Sequence, residues 1–176
     1  MNVVIKVFTL GITFLYKIID KATYWFLFIG YSVLVMVLVL QVFSRFIITL
    51  PFMWTEEVAR YLFIWITYVA ASVCIAKRRH IVVDFIVLRF PIKIRLALEI
   101  FYSVGILLFA AYVAWWGFQF SQLNFSRPFF STSALNLGIA YLSVPVGLTL
   151  VILNLFRNIY RIITLGDDYY NKVGAE

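Results

Sequence analysis

The chain has 176 residues, 64% of them hydrophobic and 13% charged, with a formal net charge of +7. Globular domains run nearer half apolar and a quarter charged, so a chain of this length cannot hide its apolar surface in a water-soluble core. Long continuous apolar runs exclude the alternating strands of a membrane β-barrel and leave helices to satisfy the backbone in lipid. The lone cysteine, Cys74, excludes an internal disulfide framework and a multi-thiolate metal centre.

The first twenty residues place polar side chains at Asn2, Lys6, Thr9, Thr13, Lys17 and Asp20. Those spacings of three and four mark one narrow helix face, which predicts an amphipathic helix over 1–20 lying in the membrane interface, a disordered tail being the alternative. The apolar run 7–16 lacks the small-residue cleavage site of a secretory signal and is cut short by Lys17.

Four apolar segments reach the roughly 20 residues needed to cross a hydrocarbon core. They predict transmembrane helices at about 22–44, 55–76, 94–120 and 133–156, within a single membrane domain covering 1–176. The connection between the second and third spans mixes basic residues with Phe85, Ile86, Val87, Leu88 and Phe90 and reads as a second interfacial stretch. Pro91 suits the first turn of the third span. In the fourth, Pro145 removes the hydrogen bond to the Tyr141 carbonyl, which predicts a local kink.

Lys and Arg in the flanks set the orientation. The N-terminal segment, the 77–95 connection and the C-terminal tail together hold twelve basic residues. Arg45, Arg60 and Arg127 are the three on the other side. Both termini are therefore expected in the cytoplasm.

Catalytic chemistry has little to work with. His80 is the only histidine, and no glycine-rich phosphate loop or nucleophile elbow occurs. His80 and Asp84, four apart, read as a local structural contact. No cofactor or metal is expected, and the chain is not expected to be an enzyme.

The stretch 51–65 is the most informative. Thr55 is placed to cap the second span, and Glu56 and Glu57 occupy its first turn, where the helix dipole favours anions. Trp54 suits the interfacial aromatic belt. Glu56 precedes Arg60 by four residues, the favourable orientation for an ion pair. Two readings follow for Arg60: it snorkels outward to Glu56, or it meets a partner, since charge inside a membrane is costly and usually functional.

The segments Gln41-Val-Phe-Ser-Arg-Phe46, Trp54-Thr-Glu-Glu-Val-Ala-Arg-Tyr-Leu62 and His80-Ile-Val-Val-Asp84 resemble the small membrane subunit of tripartite ATP-independent periplasmic (TRAP) transporters, the DctQ-like family. Ser133-Ala-Leu-Asn-Leu-Gly-Ile-Ala-Tyr-Leu-Ser-Val-Pro-Val-Gly147 is similar to that family's fourth helix. Ala70 departs from the pattern, where the family often has glycine. The resemblance implies a large transport subunit of about twelve helices and a periplasmic substrate-binding protein as partners. It also implies sodium-driven uptake of small organic acids such as dicarboxylates or sialic acids, with no nucleic-acid role, at a bacterial inner membrane. The large subunit would carry the substrate and sodium sites, and this chain would brace it. Arg45, Trp54, Glu56, Glu57 and Arg60 are then candidate subunit-interface residues, and His80, Asp84, Pro145 and Gly147 candidate structural ones.

A self-associating channel or small transporter, with Arg60 and the two glutamates as a pore ring, is the alternative. Four spans without a pair of broken helices lack the inverted repeat of a complete secondary transporter. A membrane enzyme or electron-transfer subunit is least supported by the ligand count.

Overall fold

The computed structural model describes residues 2–48, 52–77, 91–129 and 136–165; of the side chains at 2–13, 48, 92, 93 and 165 nothing is stated. All regular structure among them is helical, apart from one isolated bridge between Pro128 and Asn136. The helices are α1 (Asn2–Phe43), running into a π-helical turn (Ser44–Ile48), then α2 (Met53–Ala76), α3 (Ile92–Asn124), α4 (Leu137–Tyr141) and α5 (Ser143–Leu165). Four helical stretches are long and apolar enough to cross a membrane: Phe14–Ile47, Met53–Ala76, Ile94–Asn124 and Leu137–Thr164. His80 and Asp84 lie outside the described residues.

The chain forms two compact units, Met1–Ile66 and Thr67–Glu176. In the first, the 42-residue α1 would extend about 63 Å at 1.5 Å per residue, roughly twice the hydrocarbon thickness. It packs one stripe against the start of α2. Leu34, Ala59 and Ile66 are buried there, with Leu27, Val37 and Leu62 against them. A side chain at Gly30 would place its Cβ 3.2 Å from Ile66 Cγ1, so glycine lets the two backbones approach. Much of the rest of α1 among the described side chains is open: Phe28, Met36 and Phe46, the last in the π-turn, are 66, 72 and 74% exposed. In water such a surface would aggregate; in lipid it is the solvated face.

In the second unit, Ile75 of α2, Ala110 of α3 and Val151 and Leu155 of α5 form the core. Gly147 sits against α2, where an added Cβ would come within 2.5 Å of Tyr68 Cβ and 2.9 Å of its carbonyl carbon. The α3–α4 turn is built from polar contacts: Ser121 Oγ donates to Gly138 O at 2.7 Å, and Leu137 N to Arg127 O at 2.9 Å. Gly138 leaves room for Phe125, whose Cα would lie 2.8 Å from an added Cβ. Between α4 and α5 the helix breaks at Leu142. Pro145 follows three residues later and has no N–H to donate to the carbonyl of Tyr141.

The helices outrun the apolar windows that announce them. The first extends back to Asn2 without a break, where the sequence reading separates 1–20 from 22–44. The third runs Ile92–Asn124 instead of 94–120, and the last continues to Leu165 instead of ending at 156. Charge ends the hydrocarbon-crossing stretch but does not end a helix, whose hydrogen bonds continue into the interface.

Candidate subunit-interface site

The first turns of α2 present two faces. Thr55, Ala59, Leu62 and Ile66, spaced four, three and four, turn inward; Thr55 is 0% and Ile66 1% exposed. Met53, Glu56, Arg60 and Phe63, spaced three, four and three, are all exposed. A carboxylate and a guanidinium one turn apart thus stand on the outside of the unit, flanked by Met53 at 68% and Phe63 at 59% exposure. Glu57 is half-buried and is held by an interaction within the protein. Trp54 is 40% exposed.

Thr55 does not cap the helix, contrary to the expectation from sequence. The helix begins two residues earlier, at Met53. Its hydroxyl donates to Phe52 O at 2.7 Å, the carbonyl that also accepts Thr55 N–H at 3.1 Å. A threonine that donates backwards while buried locks the first turn rather than accepting from it. Arg45 lies exposed in the π-helical turn that ends α1. Pro145 and Gly147 are buried on α5. Cys74 is exposed. Among the described residues no group of three or more His, Cys, Asp and Glu is placed to hold a metal ion.

Sequence reasoning missed the buried polar residues of the second unit. Asn154 and Asn158 are 4 and 7% exposed, and Glu99 is 5% exposed. Asn154 Nδ2 donates to Ser72 O at 3.2 Å and Asn158 Nδ2 to Ile75 O at 2.9 Å, both across to α2. The signal was available: Ser143, Gly147, Asn154 and Asn158 recur at helical spacing, a small-and-polar stripe of the kind membrane helices use to pack.

The chain is a multi-pass helical protein with an exposed carboxylate and guanidinium at the start of one span and buried amides that join α5 to α2. The arrangement defines a helical membrane protein with four candidate spans. The sequence pattern described as Tripartite ATP-independent periplasmic transporters, DctQ component, matches residues 34–165, and the chain belongs to that family. It is 26% identical over 136 residues to the sialic acid TRAP transporter small permease protein SiaQ of Vibrio cholerae, covering 76% of this chain and 77% of that one. It is 36% identical over 108 residues to the isethionate TRAP transporter permease protein DctMQ of Oleidesulfovibrio alaskensis, covering 60% of this chain and 17% of the relative. Over 79 residues it is 32% identical to the sialic acid TRAP transporter permease protein SiaT of Haemophilus influenzae, 45% of this chain and 13% of that protein. The chain therefore spans less than a fifth of the length of two of these relatives and most of the third.

Proposed function

We propose that the chain is the small scaffold subunit of a sodium-driven importer of small organic acids, working with a large permease subunit and a periplasmic substrate-binding protein at a bacterial inner membrane. The observation that carries this reading is the pair of matches to long permease proteins alongside the match to a small permease protein of similar length. One sequence unit that occurs both alone and as a small part of a longer permease is a unit that works beside the remainder.

In this reading both termini and the 77–95 connection face the cytoplasm, and the two compact units serve one membrane domain. The start of α1 then leaves the hydrocarbon and lies in the interface, with the exposed Lys17 and Lys21 toward the headgroups. The exposed Glu56–Arg60 face, with Trp54, Glu57 and Arg45, is the contact to the partner proteins near the periplasmic surface. A charged face between Met53 and Phe63 supports a contact with protein, because lipid tails cannot satisfy a guanidinium. The substrates named for the relatives, sialic acid and isethionate, are both small organic anions, which supports the substrate class without selecting a member. The test is affinity purification of the tagged chain from its native membrane. A larger multi-span permease should co-purify in a fixed ratio; recovery of the chain alone or only as its own oligomer would favour a self-contained channel.

A further inference from the structure

Over its last turns α5 carries two adjacent stripes. Phe156, Tyr160 and Ile163 are 54, 59 and 72% exposed and, at spacings of four and three, share a face. Arg157 and Arg161, four apart, form the neighbouring stripe and are half-buried, each already held by a polar or electrostatic contact within the protein. The hydrogen bond from Asn158 to Ile75 O sets this end of α5 level with the end of α2, where Lys77 follows. Helix α3 packs on the same core through Ile106, Leu107 and Ala110, which brings its first turns, with Arg95 and the buried Glu99, to the same end of the unit.

Charge at this end does not balance. Glu99 is the one carboxylate among the described residues of the unit. Against it at this end stand Lys77, Arg95, Arg157 and Arg161. We propose that this end binds the headgroup of an anionic phospholipid, with Arg157 and Arg161 on the phosphate and an acyl chain along Phe156, Tyr160 and Ile163. The guanidinium fork matches two phosphate oxygens, and internal contacts hold both arginines in place beforehand. The apolar stripe one residue over decides for lipid: an acidic protein segment or free phosphate would use the charges but leave that stripe without a complement. The inference requires only that the helices cross a membrane, and it stands apart from the transporter reading.

The test uses the delipidated full chain in neutral detergent, with native mass spectrometry of bound phosphatidylglycerol against phosphatidylcholine at equal mole fraction. Wild type should prefer phosphatidylglycerol on the order of tenfold, given the attraction of anionic lipid for each basic residue. Arg157→Gln with Arg161→Gln should bring the ratio close to one, and Arg127→Gln, at the other end of the unit, should leave it unchanged. If the double variant does not fold, each single variant should lose the preference several-fold. No preference in wild type overturns the proposal, as does a preference that survives loss of both arginines or that vanishes equally in Arg127→Gln. Displacement of the lipid by millimolar inorganic phosphate would also overturn it, because the site would then be a free-anion site.

Discussion

Asn158 on α5 gives its side-chain amide to the main-chain carbonyl of Ile75 on α2, across 2.9 Å in a buried setting. Ile75 is the penultimate residue of α2, so its carbonyl is among the last four of that helix, which lack an intrahelical donor. The asparagine therefore completes a helix end that lipid could not satisfy. Asn154, one turn back, reaches Ser72 O at 3.2 Å while its own Oδ1 is buried without a hydrogen-bond partner.

These two amides should differ in worth. Asn158→Leu orphans the Ile75 carbonyl and is expected to cost about 1–2 kcal/mol, in the range of interhelical hydrogen bonds in membranes. Asn154→Leu removes a longer bond together with an unsatisfied acceptor and should cost less than half as much. Reversible unfolding of the purified chain in mixed micelles measures both. A larger loss for Asn154→Leu would contradict the assignment.

Gly147→Ala tests the close approach of α2 and α5. The added Cβ would meet Tyr68 Cβ at 2.5 Å, well inside contact distance, so the helices must separate. The expected cost is about 1–3 kcal/mol, typical of overpacking. A melting temperature equal to wild type would mean that Tyr68 and its backbone yield freely. Gly105→Ala, where nothing lies within 4 Å of an added Cβ, is the matched control and should be neutral.

Orientation can be read by cysteine labelling in a Cys74→Ala background. A reagent confined to the periplasm should modify Ser126→Cys, an exposed residue after α3, and leave Thr164→Cys near the end of α5 untouched. The reverse pattern would invert the topology drawn from the twelve-to-three distribution of basic residues.

Arg60 distinguishes a membrane anchor from a partner contact. An exposed helical ion pair with Glu56 is worth only a few tenths of a kcal/mol, so Arg60→Ala would leave assembly intact if that were its whole role. A guanidinium bonded to a partner in a water-poor interface is worth about 2–5 kcal/mol, and its loss should release the large permease during purification. Arg60→Lys keeps the charge without the planar fork and should rescue in part. Full co-purification with the alanine variant would leave Arg60 as an anchor.

The number of spans was legible because lipid imposes a single rule, about 20 apolar residues per crossing, and four runs satisfy it. Helix ends were not, because Lys17, Arg157 and Arg161 stop the apolar count while the backbone stays helical through them. Thr55 was misread for a local reason: its type suits a cap, but the helix starts at Met53, and a hydroxyl inside the first turn donates to Phe52 instead. Asn154, Asn158 and Glu99 escaped because burial of a polar side chain in a span depends on which face meets a neighbour, which hydropathy averages away. The family was legible through residue types at fixed spacing near the start of α2 and in the last span.

The most direct measurement is solute uptake into proteoliposomes under an inward sodium gradient, with subunits added singly and together. This chain alone should give no uptake above empty vesicles, for sialic acid or any other small organic acid. Uptake should arise when it is combined with the large permease and the binding protein, and should fall when this chain is left out. Robust uptake by this chain alone, or undiminished uptake without it, would contradict a scaffold role.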